Sequence, residues 1–139
     1  MAKREIYSEV LEKNAFDVQA ISSDTTTNGD IIDTNGFESV CFVFQSGTLT
    51  DGTYTPLIQD GDDSGLSDAA AVADADLVGT EADAAFAATD DNEVRRIAYV
   101  GSKRYVRFNV VSASTTTGGT VGAVAVLGHP LGAPTTTNS

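Results

Sequence analysis

The chain has 139 residues with 20 acidic and 8 basic side chains, one His, one Cys and no Trp, for a formal charge of −12. One cysteine excludes an internal disulfide framework, and the shortage of His and Cys leaves little material for a zinc site or a Cys–His pair. The acidic balance argues against nucleic-acid binding, no apolar run reaches the ~18–20 residues of a membrane span, and residues 1–13 lack the apolar stretch of a secretory signal.

The charge is segregated along the chain. Residues 14–94 hold 17 acidic side chains and no basic one, whereas residues 95–139 hold five cations and no acid. Such a split predicts a bipolar object or a charged oligomer contact.

In chain order, Ile6, Val10 and Leu11 in residues 1–14 fit either one or two helical turns or an extended arm. Residues 15–21 alternate (Phe16, Val18, Ala20 against Asp17 and Gln19) and predict a half-buried strand. Turn dipeptides at Asn28-Gly29 and Asn35-Gly36 bracket a short strand at Ile31-Ile32. Residues 39–45 are apolar on both phases, through Val40-Cys41-Phe42-Val43-Phe44, and predict a central strand buried on both faces with Cys41 as a small buried side chain. Residues 54–59 alternate again, with Pro56 pointing to an edge or a strand start.

Residues 67–88 are rich in Ala and Asp and predict an irregular excursion with at most a short helix. Residues 93–100 and 104–111, flanking Gly101-Ser102-Lys103, predict a hairpin. Residues 120–127 make a last strand, and residues 131–139 a Pro/Thr/Asn tail expected to be mobile. Seven or eight short strands with frequent turns define an all-β class: an antiparallel β-sandwich, jelly-roll-like, or a small barrel. The expected organisation is an N-terminal arm or short helix over 1–14, a β-sandwich domain over 15–130 and a C-terminal tail.

Asp60-Gly61-Asp62-Asp63-Ser64-Gly65 matches the first half of an EF-hand loop, with Asp60, Asp62, Ser64 and Asp68 at ligand positions. Ala71 stands where the bidentate Glu is required, so an acidic turn is the stronger reading and no cofactor or metal is expected. No two aspartates are singled out as an acid/base pair, His129 in Gly128-His129-Pro130 is the only imidazole available to a serine triad, and no nucleophile elbow surrounds any Ser. A non-enzymatic protein is expected. Arg95, Arg96, Lys103, Arg104 and Arg107 form a candidate docking patch for an acidic neighbour.

Several phrases together resemble small structural proteins of tailed bacteriophages. They are Asp33-Thr34-Asn35-Gly36-Phe37-Glu38-Ser39-Val40 before a hydrophobic strand, Gly47-Thr48-Leu49-Thr50-Asp51-Gly52-Thr53, Gln59-Asp60-Gly61-Asp62-Asp63, Ala98 through Arg107, and Val124 through Pro130. The resemblance implies a capsid decoration, or cement, protein on the outside of the head. Such a protein is made in the host bacterial cytoplasm, commonly as a homotrimer, and bridges major capsid protein subunits without contacting nucleic acid or membrane. It also implies contacts through Lys3, Arg4, Ile6 and Tyr7 of the arm and through the cationic hairpin. A head–tail connector or tail protein shares the same context. A carbohydrate- or surface-binding β-sandwich that takes a host-surface glycan is the competing class, and the lack of Trp weighs against it.

Overall fold

The computed structural model describes residues 5–132, and the arm residues Lys3 and Arg4 and residues 133–139 of the tail lie outside that range. The described chain is an antiparallel sandwich of two sheets. The first holds five strands: β1 (Val10–Ile21), β11 (Gly119–Pro130), β4 (Phe37–Leu49), β9 (Val94–Tyr99) and β7 (Leu77–Val78), in that spatial order. The second is built on β10 (Tyr105–Ala113) and β5 (Thr53–Gly61). The short strands β2 (Thr26–Thr27) and β3 (Ile31–Asp33) lie along the free side of β10, and β6 (Ala70–Ala71) and β8 (Phe86–Ala87) lie along that of β5.

Strand alternation puts one face of each sheet into the core. β4 sends Val40, Phe42 and Phe44 inward, β11 sends Val121, Ala123, Ala125 and Leu127, and β10 sends Val106, Phe108 and Val110. Phe108 is the hub. Its ring lies 5.2 Å from Phe44, 5.4 Å from Phe42 and 6.5 Å from Phe16, in tilted and edge-on arrangements that favour aromatic quadrupoles.

Four expectations change. Residues 10–14 are neither arm nor helix: after a single 3-10 turn at Tyr7–Glu9, β1 begins at Val10, and Val10 through Asn14 pair with Gly128 through Val124. The helical spacing of Ile6, Val10 and Leu11 is outweighed by this non-local pairing, and Leu11 lies opposite Leu127. The expected hairpin at 93–111 is two strands in different sheets. β9 pairs with β4 and β7, while β10 pairs with β5, β2 and β3. The connection over residues 100–104 is long enough to cross the ~10 Å between layers, and its ends are tied apart: Val100 N–H donates to Asp76 O (2.8 Å), and Thr34 N–H to Arg104 O (2.9 Å).

β4 is central but buried on one face only. Cys41 and Val43 point outward and remain half-exposed, so Cys41 is not the enclosed side chain expected. Partial burial still pushes its thiol pKa up. Pro56 is buried and faces Val110 of β10, so β5 is not a simple edge. Its ring occupies the stretch between β8 and β6 where β5 has no second partner, and just beyond it the Glu81 carboxylate accepts the Ile58 N–H (3.2 Å). The excursion over 67–88 is largely irregular, with one 3-10 turn at Asp74–Asp76, but it also holds the unpredicted two-residue strands β6, β7 and β8, which pair with β5, β9 and β5.

Candidate interaction surface

The cations of the last third have largely been claimed by acids earlier in the chain. Arg104 donates from Nε and Nη2 to the two carboxylate oxygens of Asp33 (2.8 and 2.9 Å) and lies over the Tyr105 ring. This bidentate pairing holds the Asp33 carboxyl below its ordinary pKa and raises that of Arg104. Lys103 Nζ pairs with Asp62 (2.8 Å). Arg95 spans Glu93 (2.9 Å) and Asp90 (3.3 Å), sits over Phe86 and donates to Ala85 O. Arg107 donates from Nη2 to Gln59 Oε1 (2.8 Å), while its Nε is buried without a hydrogen-bond partner among the described residues. The five cations therefore do not form one patch; Arg96 alone among them is exposed with no hydrogen-bond or ion-pair partner among the described residues. Ile6 and Tyr7 are exposed just before β1.

The acidic loop at 60–68 is held by internal bonds. The Asp68 carboxylate accepts the N–H groups of Asp62 (2.8 Å) and Asp63 (3.2 Å), and Asp63 accepts those of Gly65 and Ser67. These bonds lower both carboxyl pKa values. Asp60 is turned to the Tyr99 hydroxyl (2.7 Å), Asp62 to Lys103, and Ser64 makes no such contact. Burial and the Asp60 bond raise the Tyr99 pKa. A calcium loop needs these oxygens to converge, and among the described residues no three His, Cys, Asp or Glu groups are placed to hold a metal.

His129, at φ +49°, brings Nδ1 within 2.5 Å of Ser39 Oγ. No hydrogen bond among the described residues orients the ring from its other nitrogen, so the third member of a triad is missing.

The feature that residue-by-residue reading missed is the outer face of the five-stranded sheet. Its rows run Asn14–Val124–Val43–Arg96 and Glu12–Val126–Cys41–Ala98–Val78 across the strands. Val18, Val78, Val94 and Val124 are 77, 59, 58 and 41 % exposed, and all four lie on this face. A groove of about 350 Å³ runs along β1, β11 and β4 between Val18, Val43 and Val124. Its floor depends on Gly122, where a Cβ would press on the Val18 side chain. The signal was in the sequence: β4 is apolar on both phases, and only one of them found a core.

No protein family matches the chain, and no curated protein sequence matches it. Among solved structures, the chain is similar to the SPBc2 prophage-derived protein YomS (16 % identity, TM-score 0.52), over 86 % of this chain and 92 % of that one. It is also similar to the PBSX exported protein XepA (15 % identity, TM-score 0.54), over 93 % of this chain but only 40 % of XepA. At these identities the likeness is one of fold, and both neighbours are phage-derived.

Proposed function

We propose that the chain is a non-enzymatic structural protein of a phage particle that decorates the outside of the head and bridges major capsid protein subunits. The observation that supports this most is the whole-chain fold likeness to a prophage-derived protein of similar extent. Two features of the molecule agree with it. The formal charge of −12 suits a protein displayed densely on particles that must not adhere to one another. The apolar outer sheet face offers a contact surface.

The test uses purified expanded heads that lack the protein. Added chain should co-sediment with the heads at fixed stoichiometry and raise their resistance to heat or osmotic shock. Cryo-electron microscopy should then show new density on the outer surface. Binding to tails or to the portal vertex alone, or no binding to heads, would overturn the proposal.

A further inference from the structure

We propose that the outer face of the five-stranded sheet packs against the same face of a second copy of this chain, across a two-fold axis that runs along the strands between β11 and β4. Three observations carry this. First, β4 has the composition of a strand covered on both sides, with Cys41 and Val43 outward, yet the described chain supplies no layer over that side. Second, the middle of the face carries little of the charge of the rest of the molecule. In a chain of −12, its two cross-strand rows carry one acid, Glu12, and one cation, Arg96, and two further acids, Asp17 and Asp30, meet it only at the β1 edge, where both accept from the Asn14 side chain. Copies that repel elsewhere can approach here. Third, Glu12 and Arg96 have no ion-pair or hydrogen-bond partner among the described residues, whereas Arg95, Lys103 and Arg104 are all paired internally.

Their placement fits an isologous contact. Glu12 lies on β1 and Arg96 on β9, with β11 and β4 between them. Three interstrand steps of about 4.8 Å separate the two by roughly 14 Å. Rotation about an axis midway between β11 and β4 lays β1 of one copy over β9 of the other, so Glu12 of each copy faces Arg96 of its mate, twice per interface. The rows of Glu12 and Arg96 differ by two residues, a stagger of about 7 Å that a guanidinium side chain and the usual sheet twist can take up. Between these pairs lie Val124, Val126, Cys41 and Val43. With the axis between β11 and β4, β7 overhangs and four strands of each copy overlap, an area of roughly 19 by 20 Å at about six residues per strand. Two such faces bury roughly 800 Å² in total, the size of a weak contact, so the association should be concentration-dependent.

The experiment is analytical ultracentrifugation of the full chain over a wide concentration range, with circular dichroism to verify folding of every variant. The wild type should pass from monomer to dimer as concentration rises. Glu12→Arg and Arg96→Glu should each be monomeric alone, since each turns both pairs repulsive. The two single variants mixed together should form a heterodimer, and the double exchange Glu12→Arg/Arg96→Glu should recover the homodimer. Val124→Lys should abolish dimerisation with its fold intact. A wild type that stays monomeric throughout, a trimer, or a dimer indifferent to the charge exchange would overturn the proposal. Head binding is measured separately, so either proposal can fail without the other.

Discussion

Truncating Phe108 tests the core that fixes every surface described above. Its side chain is fully buried, reaches across from β10 to the opposite sheet and meets three other rings at 5.2–6.5 Å. Phe108→Ala removes a buried ring whose neighbours belong to β-sheets that cannot easily close the gap, so the loss should be about 3–5 kcal/mol from lost transfer energy and the cavity together. An unfolding entropy of about 2.1 cal/mol/K per residue over this domain converts that to a fall in Tm of roughly 11–18 °C. Phe108→Leu retains much of the volume and should lose about 1–1.5 kcal/mol. Paired thermal and urea denaturation, followed by circular dichroism, would measure both. The urea m-value should stay constant if the unfolded state is unaltered. A loss below about 1.5 kcal/mol for Phe108→Ala would mean that the ring is not the bridge between layers, and the register between β10 and its partners would need revision.

Other consequences are as direct. Ser112 Oγ is buried, donates to the Ser23 carbonyl (2.7 Å) and accepts the Thr25 N–H (3.1 Å); Ser112→Ala should cost about 1–3 kcal/mol and speed amide exchange across residues 23–27, and unchanged exchange there would refute the tie. Gly118→Ala should destabilise far more than Gly36→Ala. Both glycines sit near φ +90°, but a Cβ at Gly118 would collide with the Ile21 carbonyl whereas one at Gly36 meets open space, so equal melting temperatures would contradict this packing. Lowering pH should destabilise the fold. Asp24, Asp33, Asp51, Asp63 and Asp68 all have folded pKa values below the ordinary 3.8, so their contribution is complete above that value and drains away as pH falls through the lower folded values. Glu81, raised by burial, works in the opposite sense but is a single group. Urea midpoints measured from pH 7 downward should therefore fall below about pH 4, and Asp51→Asn should flatten that fall, because Asp51 accepts the N–H groups of Thr116, Thr117 and Gly118.

Period-two alternation made β10 and β11 readable almost to their ends, and the Asn28-Gly29 and Asn35-Gly36 dipeptides marked turns on either side of β3. What alternation cannot show is which sheet receives the next strand. Tyr99 and Val106 are both core-facing, which suits a hairpin and a sheet-to-sheet crossing equally well, and it is the pairing of β9 with β4 and of β10 with β5 that decides between them. The start of β1 was hidden for a related reason. Residues 10–14 become a strand because β11, more than a hundred residues away, offers an edge, and Lys13 breaks the apolar alternation that would have signalled it. The Asp60–Asp68 loop was legible as a turn, but whether its carboxylates converge on a cation or cap their own backbone is a matter of side-chain direction. The outer face was half legible: the double-sided apolar pattern of β4 was plain, while the lack of a covering layer depends on the topology of all eleven strands.

The charge segregation now has a different meaning. The last three strands do not form a separate basic lobe. β11 lies between β1 and β4, and β10 lies between β5 and the β2–β3 edge, so the late cations are threaded among the early acids. Asp33 meets Arg104, and Asp62 meets Lys103, at strand ends that are adjacent in space and 71 and 41 residues apart in sequence. The split thus resolves into local neutralisation near the start of β10, and the expected bipolar object does not form. This changes which mutations can report on assembly. Reversing Lys103, Arg104 and Arg107 to Glu would place new negative charge against Asp33 and Asp62 and disturb the fold, so a loss of assembly in that variant would say nothing about contacts. Glu12 and Arg96 carry no such internal obligation, and their exchange acts on whatever meets the outer face and on little else.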